Sequence, residues 1–413
     1  LIVDVMESSS SGPTTNQQLK SVLVFSVGYV TLLLVIRRIY LTQHYSSNQK
    51  SSSGGKTAEQ RLNQLLETKR RKEDDTPNSK SKPKRKRRTP QLRLTTHEQM
   101  VAGDVIDSSE ITVTFKDVGG ISEMKAELWD LVVLPLKRPD LFRSQTNTHT
   151  SDLLTAPRGI LLFGAPGTGK TMLAKAIANE SNATFCNLRL STIMNQYLGE
   201  SNKLVAATFS LAQKLAPSII FIDEIDTFLR QRTGGSNDSS MGSIKSEFLT
   251  LWDGISTGQS GSGHVLVLGA TNRPYDIDSA ILRRLPRTFN IGLPPPKSRL
   301  AILKLLLKKQ AMTVEARGFI HELSSEEYTE GYSGSDLKEL CRAAAMQPIR
   351  ELTAECSRRA VNDLGNSDRA LRALGPPRGV TVRAVTVEDL KEALTKVKRT
   401  GEAAEQFRQK GSH

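Results

Sequence analysis

Short apolar runs stand out against a largely polar chain. Ile160–Phe163 in RGILLFGAPGTGK, Ile219–Ile222 in SIIFIDEID and the run that opens VLVLGATNRP are continuous, with no polar residue alternating through them. That is the pattern of strands buried on both faces. The first leads through glycines into the helix-forming TMLAKAIANE, the second ends on two carboxylates, and the third ends at Asn272. From about Pro296 the pattern turns helical, in KSRLAILKLLLKK, SDLKELCRAAAMQPIRE and TVEDLKEALTKVK. Thr386, with Asp389 three residues on, marks the start of the last of these helices. The intervening ECSRRAVNDLGNSDRALRALGPPRG reads as a loop insertion.

The first ninety residues behave differently. Ser21–Ile36 carries no charge and is followed directly by Arg37 and Arg38. As a helix this run would span roughly 24 Å, and extending it to Leu41 with the arginines snorkelling brings it close to a bilayer crossing. A signal peptide would need a basic leading segment and a small-residue cleavage site, and neither is present. Lysine and arginine are dense after the run and sparse before it, which predicts a single span with the body of the chain in the cytosol. A short anchor with a basic flank suits a thin membrane such as the mitochondrial outer membrane. Residues 46–90, with KRRK at 69–72 and KPKRKRR at 82–88, read as a solvated linker that runs along an anionic lipid surface.

Charge bears on the rest of the chain. The formal charge is +14 over 413 residues, and residues 1–90 hold 17 Lys/Arg against 7 Asp/Glu. The basic excess therefore belongs mostly to the N-terminal extension, which argues against nucleic acid as a partner of the body. The three cysteines, Cys186, Cys341 and Cys356, are scattered without metal-site spacing and predict a reducing compartment.

The densest chemistry lies in Gly164–Ala165–Pro166–Gly167–Thr168–Gly169–Lys170–Thr171, between a strand and a helix. Such a loop turns backbone N–H groups inward on phosphate oxygens, with the helix N-terminus behind them. Lys170 would reach the β- and γ-phosphates of ATP and Thr171 would ligate magnesium. Asp223 would hold the metal through water, and Glu224 would act as general base on the attacking water. Asn272 is placed to orient that water. Arg283, Arg284 and Arg287 in ILRRLPRTF offer guanidinium groups for a transferring phosphoryl group.

In this order the motifs resemble the AAA family of ring ATPases, from about Phe115 (FKDVGG) to about Lys398. The resemblance implies an α/β P-loop module, a parallel sheet flanked by helices, followed by a small helical lid. It implies nucleotide contacts from Asp117, Gly119 and Met172, and from Gly334 and Ser335 in GYSGSDLKELCRAAA. Arg284 and Arg287 would be arginine fingers acting on a neighbouring subunit of a homohexamer. NQYLGESNK aligns with the first pore loop of the family, so Tyr197 and Leu198 would grip a threaded polypeptide. The polar stretch RTGGSNDSSMGSIKSE sits where a second pore loop belongs.

LWDGI, GESNK, LRRLPRTF and the lid helix together look like the mitochondrial sorting of proteins family, called thorase in animals. That likeness implies extraction of mislocalised tail-anchored proteins from the mitochondrial outer membrane, and from peroxisomes as a second location. The expected organisation is a short N-terminus (1–20), a transmembrane helix (21–41), a linker (42–92), the large ATPase subdomain (93–295), the lid (296–400) and a tail (401–413). The competing expectation is a microtubule-severing ATPase of the spastin or katanin type. It suffers from the lack of a helical microtubule-interacting segment in the polar stretch before the ATPase.

Overall fold

The computed structural model describes residues 60, 62, 93–138, 141, 157–189, 193, 200–228, 238–257, 264–364 and 382–400. The expected span at 21–41, the linker and the pore-loop pair Tyr197 and Leu198 lie outside the described residues. Among the described residues no helix is long and apolar enough to cross a membrane. The chain divides into two units, 1–100 and 101–413. In the first, Thr95 and Glu98 satisfy each other's backbone N–H groups as a reciprocal cap. Everything that follows belongs to the second.

Six strands form one sheet in the order β1-β3-β4-β5-β2-β6. They are β1 (Val105–Ile106), β2 (Gly159–Phe163), β3 (Thr184–Asn187), β4 (Ser218–Ile222), β5 (Val265–Thr271) and β6 (Arg287–Asn290). The expectation of a parallel sheet needs one correction, because the edge strand β1 pairs antiparallel with β3 and the sheet is mixed. The remaining pairs are parallel. β1 is a two-residue edge strand that follows directly on the 3-10 turn Ala102–Asp104 and pairs Val105 with Cys186 and Ile106 with Phe185.

Every residue of β4 and β5 is buried. The sheet therefore needs cover on both faces. On one side α1 (Ser122–Leu128), the π-helical turn that follows it and α2 (Lys170–Glu180) bring Leu128, Val132, Leu173 and Ile177 against Ile160, Phe221 and Leu268. On the other lie α3 (Glu200–Lys214) and α5 (Asp238–Thr257), which follows the one-turn α4 (Ile225–Phe228). There Phe209, Phe248 and Trp252 meet in sequence with rings inclined at 60° and 75°, centroids 5.2 and 5.4 Å apart. Because α5 begins at Asp238, the second half of the stretch read as a second pore loop is helix.

Beyond the one-turn α6 (Ser279–Leu282) the chain builds the lid from α7 (Pro296–Leu307), α8 (Val314–Leu323), α9 (Gly334–Leu364) and α10 (Val387–Lys396). Leu303, Phe319, Leu323, Leu337, Leu340 and Leu390 form its core. Thr386 and Asp389 make a full capping box at the start of α10. The segment read as a loop from 355 is corrected up to Leu364, which remains in α9. No glycine or proline interrupts the chain between Pro348 and Gly365, so nothing stops the helix earlier.

Candidate nucleotide-binding and hydrolysis site

The site residues gather at the C-terminal ends of β2, β4 and β5, where parallel strands open toward helix N-termini. The loop Gly164–Gly169 joins β2 to α2, and Lys170 is the first residue of that helix. Gly167 and Gly169 turn with φ of 76° and 96°, conformations that let consecutive amides face one point. Lys170 is buried, and its Nζ donates to the carbonyls of Gly164 at 3.0 Å and Ala165 at 2.8 Å. Burial lowers the pKa of this ammonium, and the carboxylate of Asp223 works in the opposite direction.

The Thr171 hydroxyl donates to Asp223 Oδ2 at 2.8 Å. A hydroxyl and a carboxylate side by side, at the mouth of a phosphate loop, form an oxygen donor set suited to magnesium. These residues therefore fit a magnesium–nucleotide pair. Glu224 follows in a left-handed conformation, with φ of 50° and an exposed side chain. A non-glycine residue is held there only by its surroundings. Asn272 stands exposed one residue beyond β5, which ends at Thr271, just short of the expected position. Met172 is exposed in the first turn of α2.

The lid reaches this loop directly. Ser335 N donates to the Gly167 carbonyl at 3.0 Å, which puts the start of α9 on the phosphate loop. A Cβ on Gly167 would come within 2.7 Å of Ser333 Oγ and 3.0 Å of Ser335. Gly334 lies at the same contact. Asp117 folds its own loop, accepting from the amide and hydroxyl of Thr114 at 2.8 and 2.7 Å. Those two bonds hold its carboxyl below the usual range. Gly119 packs on Ile302 of α7, and Ser298 donates to the Gly120 carbonyl at 2.7 Å. The lid thus meets the large subdomain at two points here, one through backbone and one through the Ser298 hydroxyl.

The arginines lie apart from this site within one chain. Arg284 grips Asp253 of α5 with Nε and Nη2, at 2.8 and 2.5 Å, and donates from Nη1 to the Ala280 carbonyl. Arg287 opens β6 and is exposed, as is Arg283. Sequence reasoning missed Asp253 as a partner of Arg284, since nothing in a spacing of 31 residues announces it. It also missed Thr271, although that residue stands directly before Asn272.

Comparisons agree with this geometry. The family model described as "ATPase family associated with various cellular activities (AAA)" matches residues 160–293, and the AAA+ lid domain matches 320–362. The human outer mitochondrial transmembrane helix translocase is 42% identical over 313 residues, covering 76% of this chain and 79% of that protein. A zebrafish (Danio rerio) protein of the same name is 44% identical over 284 residues, 67% of this chain and 71% of its own. Among solved structures, the FIGL-1 AAA domain in complex with ADP superposes with a TM-score of 0.57 at 36% identity, covering 75% of this chain and 94% of that one. A katanin structure gives 0.56 at 31% identity, covering 76% and 94%. The chain is an ATP-hydrolysing enzyme of the AAA ATPases, and within them it belongs to the family of the outer mitochondrial transmembrane helix translocases.

Proposed function

We propose that this chain is a membrane-anchored, hexameric, ATP-driven translocase of the mitochondrial outer membrane, which draws mislocalised tail-anchored proteins out by threading them through a central pore. The observation that carries the reading is 42% identity along 313 residues to relatives named transmembrane helix translocases. The hydrolytic site where the lid meets the large subdomain supplies the motor. Peroxisomal membranes are a second location for the same activity.

In the hydrolytic step Lys170 turns from the Gly164 and Ala165 carbonyls to the β- and γ-phosphate oxygens of ATP. Thr171 and Asp223 would hold magnesium, which would neutralise phosphate charge. Asn272 orients a water for in-line attack, and Glu224 takes its proton. Arg284 and Arg287 present charge to a neighbouring subunit's nucleotide, which couples hydrolysis to ring assembly. Loss of the γ-phosphate changes what Ser335 and Gly334 meet at Gly167, so the lid moves against the sheet. Tyr197 and Leu198 then step along the substrate backbone. Extracting a transmembrane helix costs on the order of tens of kcal/mol, if each buried CH₂ counts about 0.8 kcal/mol. One hydrolysis falls short of that, so the ring has to act processively.

The test places the full-length chain and a labelled tail-anchored protein in proteoliposomes and follows soluble substrate after ATP. Release should occur with the wild type, vanish with Glu224→Gln and fall with Tyr197→Ala, while Tyr197→Ala keeps its ATPase. Hydrolysis without release would overturn extraction. The likeness to katanin, 31% identical over 76% of this chain, then makes microtubule severing the next assay.

A further inference from the structure

Thr271 closes β5 with a side chain that is 1% exposed. Its hydroxyl donates to Asp226 Oδ1 at 2.6 Å and accepts the amide of Arg273 at 2.8 Å. The two bonds face opposite ways. One ties β5 to the first turn of α4, two residues after Glu224; the other shapes the turn that presents Asn272.

Glu224 needs such a tie, because its left-handed backbone does not hold itself. Before it, Asp223 accepts the Glu224 amide at 3.0 Å and the Thr171 hydroxyl at 2.8 Å. After it, buried Ile225 fits a notch in β5 at Gly269, where a Cβ would stand 2.8 Å from Ile225 Cδ1. Thr227 N closes the turn on the Glu224 carbonyl at 2.9 Å. Apolar packing in the notch fixes the depth of the turn. A directional bond at 2.6 Å also fixes its rotation about the end of β5.

We propose that Thr271 and Asp226 are positioning residues for hydrolysis, their hydrogen bond setting the turn that carries Glu224 in register with the strand end that carries Asn272. Neither touches the nucleotide. The pair makes two groups that follow different strands face one water, and it transmits a shift of Asn272 to Glu224. The inference rests on the reading of Glu224 as general base and Asn272 as its water-orienting partner.

The test compares full-length wild type with Thr271→Val, Thr271→Ser, Glu224→Gln and the Thr271→Val/Glu224→Gln double variant. ATPase kinetics, binding of a fluorescent ADP and thermal unfolding are read for each. Thr271→Val keeps the volume and loses the hydroxyl. It should lower kcat about tenfold or more, with KM and ADP affinity within about threefold of wild type. Thr271→Ser should restore most of kcat, and the double variant should be no slower than Glu224→Gln, since residues that act through one group are not additive. Wild-type kcat in Thr271→Val would overturn the inference. So would a fall in ADP affinity and melting temperature that parallels kcat, a failure of serine to rescue, or a further loss in the double variant. If Glu224→Gln itself hydrolyses ATP normally, the underlying reading of Glu224 falls, which separates that failure from the failure of the Thr271–Asp226 pair.

Discussion

Lys170 and Glu224 illustrate two ways a side chain is prepared for phosphate chemistry. Lys170 is buried and satisfied by two loop carbonyls, so a phosphate has only to outbid neutral acceptors for a charged donor. Lys170→Ala should abolish measurable nucleotide binding at micromolar concentrations, read by fluorescent ADP titration. Glu224 is instead exposed, on a left-handed backbone that its surroundings hold. Glu224→Gln should reduce kcat by about 10²-fold or more while ATP still binds, because only proton transfer is removed. Both residues could be singled out in sequence from residue type and neighbourhood. The partners that prepare them, the Gly164 and Ala165 carbonyls and Thr271, were not, because a hydrogen bond depends on where folded backbone lies.

The elements that matter most are the start of α9 and the link from Arg383 to α10. Gly167 has positive φ and no room for a Cβ beside Ser333 and Ser335. Gly167→Ala should destabilise the protein by about 1–3 kcal/mol and weaken ATP binding together, seen as a lower melting temperature and a raised KM. In the lid, Arg383 holds Asp389 at 2.6 and 2.9 Å and Glu351 of α9 at 2.7 Å through each of two nitrogens. The hydrogen bonds from Arg383 hold both carboxyls below their ordinary values. A depressed carboxyl stabilises the fold above its unfolded pKa, near 4, and loses that contribution as pH falls through the folded value. Acid below about pH 4 should therefore loosen the lid, and Arg383→Ala should flatten that dependence in a pH series of thermal melts. The helices of the lid were legible because an amphipathic period is local. The extension of α9 through Leu364 was not, since a polar run reads alike in a loop and in an exposed helix.

At the scale of the whole molecule the arginines test the proposed ring. Arg284 is occupied by Asp253 and Arg287 is exposed, and both stand at the start of β2, Arg287 opposite Ile160 and the Arg284 carbonyl against Gly159, at the end away from the phosphate loop. Arg284→Ala should leave ADP affinity of the full-length protein within about threefold of wild type and lower kcat by about 10²-fold or more. Mixing such chains with wild type should lower the rate more steeply than the fraction of mutant, which is the signature of a finger acting in trans. A linear decline would mean that the residue acts within its own chain.

The sequence by itself determined the family motifs and which runs are buried. The phosphate loop, the paired carboxylates and the apolar strands are contiguous, and their meaning follows from local geometry. Tertiary structure decided which of these meet. Placing β4 beside β5 brings Asp226 to Thr271 across 45 residues. Folding the lid back sets Ser335 on Gly167, and packing α5 near α6 gives Arg284 its carboxylate. A one-dimensional pattern fixes period and residue type, but the pairing of distant polar groups depends on the order of strands and the path of the chain between them.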